Sequence, residues 1–181
     1  MSIAQLKERL PDYARDLKLN LTSVGGASEL SPRQMWGAAL ASALATRNAE
    51  VITAVAAEAE LHLDQPARRA ARAAAAIMGM NNVYYRFVHF MGDGNSYAGM
   101  PARLRMQVIG NPGVDAVDFE LWCLAVSAIN GCEACVRSHE KVVRDKGASP
   151  GMVQDAVRIA AILHGVAAVL DGEEALARVA A

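Results

Sequence analysis

The sequence predicts an all-α protein, and three observations support that fold class. Apolar residues make up 53% of the 181 residues, whereas aromatic residues make up only 5%. Alanine is abundant, and alanine favours helices that pack closely through small side chains over β-sheets. Serine–proline pairs, which are typical of helix starts, precede two apolar runs. We expect one compact multi-helix domain spanning 1–181, since a chain of this length buries roughly 70% of its unfolded surface.

Capping residues and apolar periodicity locate the helices along the chain. Ser31-Pro32 followed by Gln34 predicts a capping box, Asp64-Gln65-Pro66 is a looser version, and Ser149-Pro150 repeats the serine–proline start. The stretches GDGNSYAG (92–99) and GNPG (110–113) are predicted breaks. The predicted helices are 3–19, 32–47, 49–62, 66–82, 83–91, 100–108, 116–129, 132–146, 150–169 and 172–179.

A shift of 86 residues (122 − 36) aligns part of the chain with itself. The informative matches at this offset are Trp36 with Trp122, Arg72 with Arg158, and Gly79 with Gly165. They suggest two helical halves of one design. Thr46 then falls on Cys132 and Thr53 on His139, so the second half, at about 114–181, would carry the chemistry.

The charge balance excludes several classes of partner. The formal net charge is −1, with 18 basic and 19 acidic residues interspersed, so no field is available to gather nucleic acid or an anionic membrane. The N-terminus lacks the apolar run of a secretory signal. The longest apolar run, 159–170, contains His164 and is shorter than the ~18 residues of a membrane span. These features predict a soluble cytoplasmic protein.

The stretch NGCEACVRSHE (130–140) holds the residues with the clearest chemistry. On a helix Cys132, Cys135 and His139 share one face, and the cysteines are close enough for a disulfide after modest adjustment. Asn130-Gly131 predicts a helix break, which would put Cys132 in a first turn where the helix dipole favours a thiolate. This arrangement is typical of a reactive dithiol. Cys123, in an apolar helix, is interpreted as core.

Glu120 is the next candidate for a catalytic residue, acting with the cysteine pair and His139. Along one straight helix it would lie roughly 18 Å from Cys132, which is too far to act. If the chain reverses at Asn130-Gly131, His139 approaches the level of Glu120, and a proton path from Glu120 through His139 to Cys135 becomes available. That path favours Cys135 as the activated thiol and Cys132 as its partner, whereas the helix dipole favours the opposite order.

Structural interpretations stand beside these functional ones. The cysteine pair and His139 could bind zinc, but a closed site needs a fourth ligand and no second CxxC or HxxxH is present. We expect His164 to be packed or at an interface, and His62 and His89 to be partly exposed. The methionines and aromatic residues at 78–106 predict core packing, and an apolar pocket for organic peroxides is the alternative.

Three stretches resemble the alkyl hydroperoxide reductase D family, within the carboxymuconolactone decarboxylase-like helical proteins. They are MSIAQLKERLPDYARDLKLNL at the start, AAAAIMGMNNVYYR (73–86) and FELWCLAVSAINGCEACVRSHE (119–140), and the resemblance covers nearly the whole chain. Glu120, Cys132, Cys135 and His139 match the family's active-site glutamate, CxxC pair and histidine. Some members have a second histidine where this chain has Ala134, so His139 would serve alone.

The resemblance implies an all-helical homotrimer with thiol peroxidase activity and no tightly bound cofactor or metal. It also implies a partner peroxiredoxin, AhpC, and electrons supplied by dihydrolipoyl groups through a lipoylated dihydrolipoamide acyltransferase and dihydrolipoamide dehydrogenase. Two other functions stay open. One is a decarboxylase acting on a lactone acid, which would not need two cysteines, and the other is a non-catalytic helical oligomer that senses redox state.

Overall fold

The computed structural model describes residues 1–24, 26 and 28–179, and within them all regular secondary structure is helical. The all-α prediction is therefore confirmed. A 3₁₀ turn at Asp12–Ala14 accompanies the α-helices. These are α1 (Ile3–Glu8), α2 (Arg15–Ser23), α3 (Pro32–Thr46), α4 (Ala49–His62), α5 (Gln65–Phe90), α6 (Gln107–Gly110), α7 (Ala116–Ile129), α8 (Glu133–Asp145) and α9 (Pro150–Val179).

The three helix starts predicted from capping chemistry are confirmed. At α3, Ser31 Oγ accepts a hydrogen bond from the Gln34 amide (3.2 Å), and Gln34 Oε1 accepts one from the Ser31 amide (3.0 Å). Asp64 Oδ1 caps α5 by accepting from the Ala67 amide at 2.8 Å. Ser149 Oγ does the same for α9, with the Met152 amide at 3.0 Å.

Two of the predicted helices near the loops are wrong. The helix expected at 3–19 is interrupted between α1 and α2, because Pro11 has no amide hydrogen and disfavours helical geometry in the residue before it. The helix expected at 100–108 is also absent over 101–106, and only α6 forms there.

Two predicted interruptions do not occur. The segments 66–82 and 83–91 form one continuous α5, in which Asn81 and Asn82 are buried despite their modest helix propensity. The segments 150–169 and 172–179 likewise form one helix, α9, which continues through Gly172. In α5 tertiary packing outweighs local preference, whereas residues 171–179 of α9 are mostly exposed.

The core centres on α3 and α7, which pack against each other. Both also pack against α5 and α9, while α4 covers α3 and α8 covers α7. Gly37 is essential to this contact, since a Cβ atom there would lie 2.1 Å from Cε2 of Trp122. Trp122 is fully buried and its Nε1 donates to the Gln34 carbonyl oxygen at 3.0 Å.

Two helix triplets follow each other in the same order. α7, α8 and α9 begin 84 (116 − 32), 84 (133 − 49) and 85 (150 − 65) residues after α3, α4 and α5. This spacing lies within two residues of the offset read from the sequence. The internal repeat itself stays a prediction.

By length and composition α9 is the one helix in the described chain that could cross a membrane. Its most apolar 18-residue stretch has a mean hydropathy of 1.5, but half of that stretch is buried inside the protein. Such burial is typical of a core helix. His164, on α9, is exposed, so of the two expectations for it, packing within the chain is wrong and a place at an interface stays a prediction.

Candidate active site

The turn between α7 and α8 places the cysteine pair. Gly131 adopts a left-handed conformation (φ +65°), which an L side chain rarely adopts, and the chain reverses there as predicted. Cys132 is the N-cap of α8, and its Sγ accepts from the Cys135 amide at 3.3 Å. The two cysteines form a disulfide with their Cα atoms 5.3 Å apart. The dithiol thus begins a helix, where backbone amides favour negative charge on sulphur.

Polar side chains from α5 fasten this turn. Asn82 Nδ2 donates to Ser127 Oγ, and Asn130 Nδ2 donates to Asn82 Oδ1, both at 2.9 Å. Arg86 Nη1 donates to the carbonyl oxygen of Asn130. Sequence reasoning missed these contacts, which hold the residues just before Cys132 against α5.

Glu120 and His139 meet because α8 runs back alongside α7. Glu120 Oε2 lies 2.6 Å from His139 Nδ1, and both side chains are nearly buried. A carboxylate so close makes Nδ1 the donor, which leaves Nε2 as the nitrogen that can exchange a proton. In this oxidised state Nε2 lies 3.2 Å from Met78 Sδ, and the structure places no cysteine sulphur in hydrogen-bond contact with it among the described residues.

A pocket of about 340 Å³ opens over these groups. It is lined by Met78, Asn81, Tyr85, Met106, Ile109, Glu120, Ala134, Cys135, Ser138, His139 and Val142. Cys135 is 6% exposed and reaches this pocket, whereas Cys132 is fully buried and does not line it. The four candidate residues from the sequence therefore lie together, with Cys132 behind the other three.

The wall of the pocket opposite α8 is mostly apolar. Met78 and Tyr85 come from α5, and Tyr85 Oη lies 3.8 Å from Met106 Sδ. Core packing thus holds for Met78, but Met91, Met100 and Phe87 are exposed, so for them it is wrong. The pocket alternative describes Tyr85 and Met106 better. Their separation in sequence from the cysteines hid this role.

The other cysteine and histidines lie outside the pocket. Cys123 is fully buried, and burial, followed by the charge of Glu120, raises the pKa of its thiol well above the usual value. His62 and His89 are exposed; His62 stacks on Trp36 and His89 Nε2 lies 3.1 Å from Glu133 Oε2. Within the described residues no group of three or more His, Cys, Asp or Glu side chains is arranged to hold a metal ion.

Comparisons with known proteins place the chain in a family. The sequence model of the carboxymuconolactone decarboxylase family matches residues 96–178. Alkyl hydroperoxide reductase AhpD of Gluconacetobacter diazotrophicus is 64% identical over 177 residues, which cover 97% of this chain and 96% of that protein. The AhpD of Rhodospirillum centenum is 61% identical, covering 97% and 94%. That of Rhodopseudomonas palustris is 55% identical, covering 100% and 99%. With such identity over nearly the full length, the chain belongs to the alkyl hydroperoxide reductase AhpD family, within the carboxymuconolactone decarboxylase-like superfamily.

Proposed function

We propose that the protein is an antioxidant thiol peroxidase and disulfide reductase whose Cys132–Cys135 dithiol reduces hydroperoxides, the disulfide of a partner peroxiredoxin, or both. The observation that carries this proposal is the pocket itself, in which Cys135 lies beside the Glu120–His139 pair. A cysteine pair at a helix start can cycle between dithiol and disulfide with little movement, since the Cα atoms are 5.3 Å apart in the disulfide.

In the first step the Cys135 thiolate attacks the terminal oxygen of a hydroperoxide. The S–O bond forms as the O–O bond breaks, the sulphur is oxidised to a sulfenic acid, and the alkoxide that leaves takes a proton to become an alcohol. His139 receives the thiol proton at Nε2 beforehand and can return it to the alkoxide, while Glu120 orients the imidazole through Nδ1. With a disulfide substrate, the same thiolate forms a mixed disulfide.

Cys132 then resolves the intermediate. Its sulphur bonds to Cys135 Sγ and displaces water from the sulfenic acid, or a thiolate from the mixed disulfide, leaving the Cys132–Cys135 disulfide. A dihydrolipoyl group supplies two electrons and two protons to restore both thiols and is itself oxidised to the cyclic disulfide.

The order of attack follows from accessibility. Cys135 lines the pocket, whereas Cys132 is fully buried and its Sγ accepts a hydrogen bond from the Cys135 amide. A substrate that enters the pocket therefore meets Cys135 first. This outweighs the helix-dipole argument, which would favour Cys132.

We further propose the cellular setting that the family suggests. It comprises a cytoplasmic homotrimer, AhpC as the partner peroxiredoxin, and electrons from dihydrolipoamide dehydrogenase through a lipoylated acyltransferase. Light scattering tests the trimer, because it measures the molar mass in solution independently of shape. We expect three times the mass of one chain.

The two alternatives receive less support. The decarboxylase in the name of the matching family model has no use for a cysteine pair whose Cys135 faces the pocket. A redox sensor without turnover would have the same residues, so only turnover separates it from the enzyme.

The test is a thiol count. The protein is reduced with dihydrolipoamide, freed of excess reductant, and treated with cumene hydroperoxide before its thiols are counted under denaturing conditions alongside the intact mass. We expect two of the three thiols to disappear as a Cys132–Cys135 disulfide that dihydrolipoamide reopens, while Cys123 stays reduced because it is buried and its pKa is raised.

Variants define each role. Cys135→Ser should leave the protein unoxidised, Cys132→Ser should stop at a sulfenic acid on Cys135, and Glu120→Gln should slow oxidation without abolishing it. Retention of all three thiols by the wild-type protein would overturn the peroxidase activity, and full turnover by Cys132→Ser would overturn the dithiol mechanism.

A further inference from the structure

Asn81 is a polar residue of the pocket that no step above uses. It lies on α5 between Met78 and Tyr85, one helical turn from each, and all three line the pocket. Asn81 is only 4% exposed, and its Oδ1 atom has no hydrogen-bond partner among the described residues. Its neighbour Asn82, by contrast, is bonded to both Ser127 and Asn130.

An unpartnered carboxamide in this position is costly. Leaving a buried acceptor without a hydrogen bond lowers the stability of the fold, so such groups in native proteins call for an explanation. Leucine has the same number of side-chain heavy atoms and the same branching as asparagine, and it would occupy the site without an unpaired acceptor. Because Asn81 lines the pocket, a molecule that enters the pocket can supply the missing hydrogen-bond partner.

A hydroperoxide fits the carboxamide atom by atom. The group R–O–O–H has one donor, its O–H, and acceptor lone pairs on the adjacent oxygen, while a carboxamide offers one acceptor and two N–H donors on neighbouring atoms. We propose that the Asn81 carboxamide binds the peroxide group of the substrate opposite Cys135, an inference that rests on the proposed peroxidase function.

Asn81 then contributes to the oxidation step in two ways. Its Oδ1 atom is buried in the structure, and rotation of the carboxamide about its Cβ–Cγ bond turns that atom to the pocket, where it accepts from the O–H and fixes the terminal oxygen for attack by the Cys135 thiolate. Its amide donates to the other oxygen, which gains negative charge as the O–O bond breaks and leaves as the alkoxide. The carboxamide transfers no proton and changes no oxidation state.

The experiment separates oxidation from reduction. For Asn81→Leu and Asn81→Ala, the second-order rate constant for oxidation of the reduced protein is measured with hydrogen peroxide and with cumene hydroperoxide. The rate at which dihydrolipoamide reopens the disulfide is measured separately. We expect oxidation to slow about ten-fold or more with both peroxides, because a contact with O–O–H is common to both, and the reopening rate to be unchanged.

Size, stability and burial each have a control. Alanine leaves more room than asparagine, so a loss in Asn81→Ala cannot come from blocking the pocket. Asn81→Leu should be at least as stable to urea as the wild type, whereas a purely structural role predicts a loss. Ser42 is the matched control, because its Oγ is also buried without a partner in the described chain but lies in α3 away from the pocket. Ser42→Ala should oxidise at the wild-type rate.

The outcomes test the role of Asn81 separately from the proposed peroxidase function. Wild-type oxidation rates in both Asn81 variants would overturn the role of Asn81 and leave the peroxidase proposal standing. Slowing that depends on the size of the peroxide would also overturn it, since that indicates pocket shape alone. A wild-type protein that no peroxide oxidises would overturn both the role of Asn81 and the peroxidase part of the proposed function.

Discussion

Asp155 shows how much one buried carboxylate can organise. Its Oδ2 accepts hydrogen bonds from Ser28 Oγ and from the Glu29 amide, both at 2.8 Å, and its Oδ1 lies 2.6 Å from Arg158 Nη1. Burial alone would raise the pKa of Asp155, but the Glu29 amide, the Ser28 hydroxyl and the Arg158 charge together lower it. This residue ties the segment before α3 to α9.

We therefore predict that Asp155→Asn lowers the free energy of unfolding at pH 7 by about 1–2 kcal/mol, since hydrogen bonds to a charged group are the stronger ones. The folded pKa lies below the unfolded value of about 3.9, so the carboxylate stabilises the fold above that pH. Its contribution is lost as the pH falls through the folded pKa. Urea unfolding at pH 7 and at pH 3 should show a difference between wild type and variant that shrinks at pH 3.

Asp145→Asn is the control for that measurement, because Asp145 is exposed and, in the part of the chain that the structure describes, pairs only with Lys141 on the same helix. Its effect should be near zero at both pH values. An Asp155→Asn protein as stable as this control at pH 7 would contradict the role given to Asp155.

Whether a contact within the site could be predicted depends on how far apart the two residues lie along the chain. Glu120 and His139 are 19 residues apart on two consecutive helices, so spacing and one chain reversal were enough to predict that they meet. Met78 lies 61 residues before His139 and reaches it through the packing of α5 against α7 and α8. No local pattern encodes that packing, so the α5 wall of the pocket, including Asn81, could not be predicted.

For whole helices, too, some features could be predicted from the sequence and others could not. The starts of α3, α5 and α9 were predictable because a cap and the amides that it satisfies lie within three residues of each other. The continuity of α5 was not, because it depends on what that helix packs against. Local chemistry therefore predicted where these helices begin better than how far they extend.

The contact between α3 and α7 depends on one glycine. In Gly37→Ala the new Cβ atom would lie 2.1 Å from Trp122 Cε2, and the indole is held by its bond to the Gln34 carbonyl. We predict that this variant loses about 1–3 kcal/mol in the free energy of unfolding, or fails to fold, because neither α3 nor the ring has room to move.

Gly79→Ala provides the matched control on α5. A Cβ atom at Gly79 meets nothing within 4 Å, so alanine should stabilise the protein by about 0.5–1 kcal/mol through its higher helix propensity. Urea unfolding measures both variants. Equal effects of the two substitutions would mean that the close α3–α7 contact does not limit stability.

For the whole molecule, the packing of α3 and α7 decides whether the two helix triplets are separate units. α7 and α9, from the second triplet, both pack against α3, and α5 packs against α7 and α8. Much of the buried surface of each triplet is therefore supplied by the other. The family model matches only 96–178, yet the core that α7 needs includes α3.

We therefore predict that the chain unfolds in a single transition. Trp36 lies in the first triplet and Trp122 in the second, so Trp36→Phe and Trp122→Phe each leave one fluorescent reporter. All measurements use one protein concentration, so that any association of subunits contributes equally to each of them. In each variant the urea midpoint from fluorescence should coincide with that from far-UV circular dichroism. A fragment of residues 114–181 should lack cooperative unfolding because α7 would expose the face that α3 covers. Two separate midpoints, or a folded fragment, would instead mean that the second triplet is a domain of its own, able to hold Glu120, the cysteine pair and His139 without the first.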